Sequence, residues 1–320
     1  MALNYSKYIP LIEKYSKKHQ TTSTYDLARI LIKEERLPHT VESLRKGISN
    51  YYRDKKVSLV EEETEIYIPP SSYKEAGTFI LPKKCDNILY IGDLHIPYHS
   101  IEPIRLALKY GQQNGVNTIY INGDLIDCYS ISRFSKDPSM MGLKEEIELT
   151  AQFLRNLRAL FPQASIYYKI GNHDERLDKY AKEKAPDLLK AGAIRSLPEL
   201  LGCADLGIEI IESKQLAKAG KLFVIHGHEY GGSGSVNVAR NLNVKAQDNV
   251  LTHHFHRDQE FISKPLNDKP IGAWSIGCLC GLNPDYMPFN NWLWGFAHQV
   301  IDDNGDFTLS NKKIIGGQIR

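Results

Sequence analysis

Five short polar motifs stand in one order along the chain, and each directly follows a run of β-forming apolar residues. Asp93-Leu94-His95 follows Ile88-Leu89-Tyr90-Ile91, and Gly123-Asp124-Leu125-Ile126-Asp127 comes just after Thr118-Ile119-Tyr120-Ile121. Gly171-Asn172-His173-Asp174 follows Ile166-Tyr167-Tyr168-Lys169-Ile170. His226 ends the run Leu222–Ile225, and His254-Phe255-His256 closely follows Val250–Thr252. Strand side chains alternate, so Asp93 and His95 share one side of their segment, as do His254 and His256. Open α/β sheets place ligands past the C-terminal ends of their strands. The pattern therefore predicts seven potential metal ligands, Asp93, His95, Asp124, Asn172, His226, His254 and His256, on one edge of one sheet. Asp, Asn and His gathered at strand ends are the materials of a two-metal hydrolytic site.

Each residue type suits that role. Gly123 lets the backbone turn where its strand stops, which puts Asp124 at the mouth of the site, and one carboxylate can bridge two cations. Asn172 offers a neutral carbonyl oxygen where more carboxylates would crowd. The imidazoles suit Mn, Fe or Zn better than Ca or Mg. The chain has eleven histidines; His19, His39, His99 and His298 stand outside the motifs and read as ordinary surface or core residues. His228 and His253 adjoin motifs and read as outer neighbours.

Composition bounds the rest. The chain has 320 residues, 42% of them hydrophobic, with mean hydropathy −0.37, which suits one large domain and a smaller one. No apolar stretch approaches the roughly 18 residues that would span a membrane, and the charged N-terminus lacks the apolar core of a signal peptide. Five cysteines with no CxxC pair argue against a disulfide framework or a zinc ribbon, so a reducing, cytoplasmic setting is expected. Residues 1–60 hold 12 Lys or Arg against 6 Asp or Glu, and the remainder 28 against 32. A basic block on a mildly acidic body points to a polyanionic partner for that block.

Residues 1–60 read as three short helices. The first carries Tyr8, Leu11, Ile12 and Tyr15 on one face. The second is capped by Ser23 with Asp26 three residues on and carries Leu27, Ile30 and Leu31. After the break Arg36-Leu37-Pro38-His39, Thr40 caps a third helix carrying Val41, Leu44, Ile48 and Tyr52. The unit is helix-turn-helix-like, and its third helix turns Arg45, Lys46, Asn50 and Arg53 outward, suited to nucleic-acid contact. A small adaptor that packs on protein is the competing reading. Residues 61–84, with the acidic run Glu61-Glu62-Glu63-Thr64-Glu65 and the prolines 69, 70 and 82, read as a linker. From residue 85 to 320, strands alternate with helices predicted over about 103–113 and 143–160, an α/β pattern. Residues 204–320 are richer in short strands and turns, which predicts a second, more antiparallel sheet on the first.

The motif set resembles the calcineurin-like metallophosphoesterase superfamily, whose pattern is DxH, GDxxD, GNH[DE], H and GHxH. The blocks IGDLH, INGDLID, IGNHD and VIHGH match it. The fifth departs, because His253 stands where the family places glycine. The resemblance covers roughly residues 85–300 and implies a four-layer α/β/β/α sandwich. It implies that Asp93, His95 and His256 hold one divalent metal, that Asn172, His226 and His254 hold the other, and that Asp124 bridges them, with Mn expected and Fe or Zn as alternatives. It further implies an in-line attack on phosphorus by a metal-bridging hydroxide, with no covalent enzyme intermediate. His173 would protonate or stabilise the leaving oxygen, and Asp127 would orient His173.

Protein phosphatases of that superfamily usually read GDxxDRG and GNHE. Here Cys128 replaces the Arg and Asp174 the Glu, which is closer to its nucleases and phosphodiesterases, and the whole arrangement is similar to phosphoesterases of bacteriophages. Tyr129, Arg133, Arg176 and the segment Tyr230-Gly231-Gly232-Ser233-Gly234 are the expected substrate contacts. The expectation is a phosphodiesterase or nuclease acting on DNA, RNA or a nucleotide. The alternatives are a phosphomonoesterase, including a protein phosphatase, and a nucleic-acid-binding or adaptor protein with a vestigial metal site.

Overall fold

The computed structural model describes residues 5–19, 23–54, 68–231 and 236–320. The chain divides into two compact units, Met1–Tyr73 and Lys74–Arg320. The acidic run at 61–65 lies outside the described residues.

The first unit holds helices α1 (Ile9–His19), α2 (Thr24–Glu35) and α3 (Val41–Asp54). Ser23 caps α2 by accepting the amide of Asp26, and Thr40 accepts that of Ser43. Arg36 ends α2 in the left-handed region (φ 48°). Tyr8, Ile12, Tyr15, Leu27, Leu31, Leu44 and Ile48 form a closed core, the apolar stripes expected from the sequence. On α3, Lys46, Asn50 and Arg53 are exposed. Arg45 is only partly so, and its guanidinium is held by Glu42 one turn back at 2.6 and 2.9 Å.

In the second unit two sheets form. One has the order β13-β12-β11-β2-β3-β4-β5 and the other β1-β6-β7-β8-β10-β9. The strands are β1 (Phe79–Ile80), β2 (Asn87–Ile91), β3 (Thr118–Asn122), β4 (Ser165–Lys169), β5 (Ile208–Ile211), β6 (Ala217–Ala219) and β7 (Leu222–Ile225). They continue with β8 (Val250–Thr252), β9 (Gln259–Ser263), β10 (Ile271–Ser275), β11 (Trp294–Ile301), β12 (Phe307–Ile315) and β13 (Gln318–Ile319). The helices are α4 (Ile101–Gln113), α5 (Leu143–Leu160), α6 (Arg176–Lys184), α7 (Pro186–Lys190), α8 (Leu197–Leu200) and α9 (Val238–Ala246).

Alternation along the strands builds the layers. Leu89 and Ile91 of β2, Ile119 and Ile121 of β3, and Ile166 and Tyr168 of β4 pack on α4 and α5 through Ala107, Leu154 and Leu157. The intervening Ile88, Tyr90, Tyr120 and Tyr167 face the other sheet, meeting Leu222, Val224, Leu251 and Trp274. The far side of that second sheet is covered by α9, where Leu242 packs with Ile225, Val250 and Ala273. The result is the α/β/β/α sandwich.

Two details of the chain's layout differ from the expectation. The linker read over 61–84 gives way at Phe79, because β1 pairs in parallel with β6 and Leu81 and Cys85 join the core between the sheets. A two-residue edge strand is too short to leave a readable alternation. A second sheet does pack on the first, but it is mixed and does not take every strand after residue 204: β5 pairs with β4, while β11, β12 and β13 extend the first sheet beyond β2. Periodicity reports which face is buried, not which neighbour a strand chooses.

Candidate metal centre

The five motifs converge, but from two sheets rather than one. Asp93 and Asp124 follow the parallel strands β2 and β3, Asn172 follows β4 beside them, and His226 and His254 follow the parallel pair β7 and β8 of the other sheet. The C-terminal strand ends of both layers open onto the same cleft. Asn122 fastens the layers there, donating to the carbonyl of Ile225 (2.8 Å) while its own carbonyl oxygen lies 2.7 Å from His226 Nδ1.

Asp93, His95 and Asp124 form one group whose ligand atoms lie within 4.8 Å of one another, and Asp124, His226 and His254 form a second. Ligands of one small cation at ~2.0–2.2 Å stand about 3–3.5 Å apart. The spacings here are close to that: His95 Nε2 to His256 Nε2 is 3.3 Å, His226 Nε2 to Asn172 Oδ1 is 3.2 Å, and His226 Nε2 to Asp124 Oδ2 is 3.3 Å. His256 Nε2 to Asp93 Oδ2 is 3.6 Å, and His95 Nε2 to Asp124 Oδ2 is 3.7 Å. Three imidazoles are oriented through their other nitrogen. Nδ1 of His95 faces Asp127 Oδ2 at 3.2 Å, Nδ1 of His226 faces the carbonyl of Asn122, and Nδ1 of His256 lies 3.9 Å from Cys280 Sγ. Such partners fix ring direction and leave Nε2 for a metal. Oδ1 of Asp93 is fully buried without a hydrogen-bond partner, a costly state for a carboxylate unless a cation faces it. These donors fit a pair of divalent ions sharing Asp124.

The electrostatics agree. Burial pushes the Asp93 carboxyl up to about 7, with Asp124 adding to the rise and His226 opposing it. Burial acts against a charged His95, yet the hydrogen bond to Asp127 and the charge of Asp124 outweigh it and raise its pKa to about 10. His226 is likewise raised to about 10, burial being overcome chiefly by Asp124. Burial holds His254 down at about 4, in the neutral form a metal ligand needs. The cleft is thus a concentration of buried negative charge that binds positive charge.

Beside the two groups, one carboxylate clamps three side chains. Asp127 Oδ2 lies 3.3 Å from His173 Nδ1 and 3.2 Å from His95 Nδ1, and its Oδ1 accepts from Arg176 at 3.0 Å. Burial opposes this charge, but the hydrogen bonds to His173 and His95 hold the Asp127 carboxyl well below the usual range. His173 Nε2 faces the cleft, 3.9 Å from Asp124 Oδ2 and 3.1 Å from Arg176 Nη2. Arg176 both pairs with an acid and stands at the mouth.

Loops around the cleft are held by buried acids. Asp174 accepts the amides of Asp124 (2.8 Å), Leu125 (3.1 Å), Ile126 (3.3 Å) and Gly171 (2.7 Å), tying the second motif to the third. Glu229 accepts the amides of His226 and Gly227 and is itself paired with the buried Lys169 at 2.8 Å. Asp93, His95, Asp124, His254 and His256 all have φ between 49° and 69°. Left-handed backbone is costly outside glycine and collects at functional sites, so five of the seven predicted ligands sit in strained positions.

The fifth motif needs no glycine at residue 253, because the positive φ angles fall on His254 and His256 instead. His253 is fully buried, with its Nδ1 2.9 Å from Asn122 Nδ2, and burial pulls its pKa down to about 3. The room for its ring comes from Gly92, where a Cβ would stand 2.7 Å from His253 Cδ2. Gly92→Ala should therefore cost about 1–3 kcal/mol of stability by overpacking. His253→Ala in that background should recover most of it, which denaturant titration of the double-mutant cycle measures; additive effects would show that the two sites do not meet.

The remaining predicted contacts lie outside these groups. The Tyr129 hydroxyl serves its own loop, accepting from the amide of Asp137 and donating to the carbonyl of Ser135. Arg133 is exposed over the Phe134 ring. Lys245 packs on Tyr230, and Gly232 to Gly234 lie outside the described residues. Lys169, Glu229, Cys280 and Trp292 were not anticipated. A lysine inside the apolar run of β4 was the available signal, since a charge at such a position must find a buried partner. Among the described residues no helix is long and apolar enough to cross a membrane.

A family model described as calcineurin-like phosphoesterase matches residues 87–277. The Gene 54 proteins of Mycobacterium phages L5 and D29 are each 24% identical over 233 residues, which covers 67% and 68% of this chain and 89% of each relative. Solved structures with a likeness to the chain include a single mutant of Vps29 from Entamoeba histolytica, with a TM-score of 0.39 and 15% identity over 73% of this chain and 96% of that one. Another is Yfce, a phosphoesterase from E. coli, with a TM-score of 0.35 and 13% identity over 70% of this chain and 98% of that one.

Proposed function

The chain belongs to the calcineurin-like phosphoesterase family, and we propose that it is a two-metal phosphodiesterase acting on nucleic acid or a nucleotide. The observation that carries this reading is the pair of ligand groups joined at Asp124. Asp93, His95 and His256 would hold one divalent ion, Asn172, His226 and His254 the other, and Asp124 would bridge them. Bound ions would polarise the phosphoryl oxygens and make a water acidic enough to supply the nucleophile.

The chain's own side chains supply the rest. His173, held through Nδ1 by Asp127, presents Nε2 to the cleft and would give a proton to the leaving oxygen as its bond to phosphorus breaks. Arg176, adjacent to Nε2, would meet phosphoryl oxygens as its guanidinium turns from the ring. Asp127 keeps both in place. The exposed Lys46, Asn50 and Arg53 of α3 and the basic balance of residues 1–60 support a polynucleotide as the substrate class.

With Mn²⁺, the purified protein should hydrolyse bis-p-nitrophenyl phosphate faster than p-nitrophenyl phosphate. EDTA should abolish the activity and added Mn²⁺ should restore it. Equal or reversed preference would make the protein a phosphomonoesterase. No turnover with Mn²⁺, Fe²⁺ or Zn²⁺ would leave a binding protein on this fold.

A further inference from the structure

The loop between β10 and β11 brings aromatic rings to the rim of the cleft. Trp292 packs edge-on against His256, with ring centroids 4.3 Å apart, and Tyr286 lies 6.5 Å from Trp292. Tyr286 is 77% exposed and Phe289 95%. Tyr286 thus offers a large open ring next to Trp292, and through it next to the cleft. Through Trp292, the Tyr286 ring is one aromatic neighbour away from the His256 imidazole.

Hydrogen bonds fix the loop backbone around Trp292. Asn290 donates to the carbonyls of Leu282 and Met287 and accepts the amide of Trp292, while Leu293 donates to the carbonyl of His256. A preordered aromatic surface binds with little entropy loss. Beside it lie the features that take a phosphate: the two ligand groups and Arg176.

We propose that Trp292 and Tyr286, with the exposed Phe289 of the same loop, form a stacking platform for the unpaired bases of a single-stranded nucleic acid whose phosphate enters the cleft. This rests on the phosphodiesterase reading of the site. Flat rings recognise the π-face that every nucleobase carries, and stacking on side chains needs that face uncovered. In a duplex each face is covered by the next base pair, so the platform selects single strands or frayed ends. Stacking is tolerant of sequence, so the platform sets strandedness rather than base order.

The experiment measures binding to the Mn²⁺-loaded protein by fluorescence anisotropy of 5′-labelled 12-mers whose phosphorothioate linkages resist hydrolysis. The probes are oligo(dT), oligo(rU), an abasic oligomer of the same backbone charge, and a blunt duplex. The full-length protein should bind the base-bearing strands about 5–150-fold more tightly than the abasic one, the span of one stacked base, and more tightly than the duplex. The dT and rU arms report whether DNA or RNA is preferred. Tyr286→Ala with Phe289→Ala should shrink the difference between base-bearing and abasic strands, leaving what Trp292 alone supplies. Trp292→Phe should keep that difference while removing the quenching of intrinsic fluorescence that oligo(dT) causes, and a thermal melt of each variant reports its folding. Equal binding of abasic and base-bearing strands by the unaltered protein, or preference for the duplex, would overturn the platform. So would full discrimination in the Tyr286→Ala, Phe289→Ala variant. Hydrolysis of bis-p-nitrophenyl phosphate with Mn²⁺ is scored separately, so turnover without base discrimination removes the platform and keeps the phosphodiesterase. Discrimination without turnover does the reverse.

Discussion

Replacing His173 with Ala should slow diester hydrolysis by about 10²–10⁴, the usual contribution of a positioned general acid, while both metals stay bound. The ring is absent from the spacings that define the two groups. The part of His173 that touches Asp124 closely is its backbone amide, which donates to Oδ1 at 2.9 Å and survives the substitution. The size of the loss should depend on the leaving group. p-Nitrophenolate departs with little help from a proton, so bis-p-nitrophenyl phosphate should fall near the low end of that range. A dinucleotide with an alkoxide leaving group should fall near the high end. Steady-state rates on both substrates, with metal content of the purified variant measured by mass spectrometry, check this. Loss of a metal equivalent would place His173 among the ligands, and equal losses on both substrates would remove proton donation from its role.

Lys169→Met should lower stability by about 3–5 kcal/mol, the cost of stranding one partner of a buried ion pair. The Lys169 ammonium is fully buried against Glu229 and also donates to the carbonyls of Glu212 (3.1 Å), Ser213 (2.8 Å) and Gln215 (2.9 Å). Burial pulls the pKa of this lysine down and Glu229 pushes it back up. Methionine fills similar volume, so little of the effect would be a cavity. What changes is that Glu229 keeps its charge with no cation, three carbonyls lose their donor, and the His226 loop loses its anchor. Urea denaturation should show a lower midpoint at unchanged slope. Adding Glu229→Gln should return part of the loss, because it removes the unpaired charge while its one carbonyl oxygen can still accept from one of the two amides of His226 and Gly227. A change below about 1 kcal/mol in the single variant would mean that the pair is open to water.

Much of the centre was legible because its residues are the ends of strands. An apolar run that stops at Asp, Asn or His states its own geometry, and all seven predicted ligands do meet. What could not be read is which sheet each strand joins. The runs before His226 and His254 look like those before Asp93 and Asp124, yet they belong to another layer, since pairing is decided by long-range partners. Supporting residues were hidden for a related reason. Cys280 and Glu229 act on ligands from distant or irregular segments, and Asp174, though part of a motif, reveals its task only once four amides converge on it. The His253 departure looked like a threat to the loop. It proved compensated by Gly92, about 160 residues away in sequence, a complementarity that spacing alone does not carry.

The division of the ligands between two layers has a consequence for how the molecule tolerates change. Neither sheet owns the centre, so its geometry is only as good as the alignment of one layer against the other. A slip of a single strand residue, about 3.3 Å, equals the whole separation between His226 and Asp124. The rings of Tyr90, Tyr120 and Tyr167, sandwiched between the layers, therefore act as the gauge blocks of the site. Trimming one of them would register first as a detuned centre, and only later as a less stable fold.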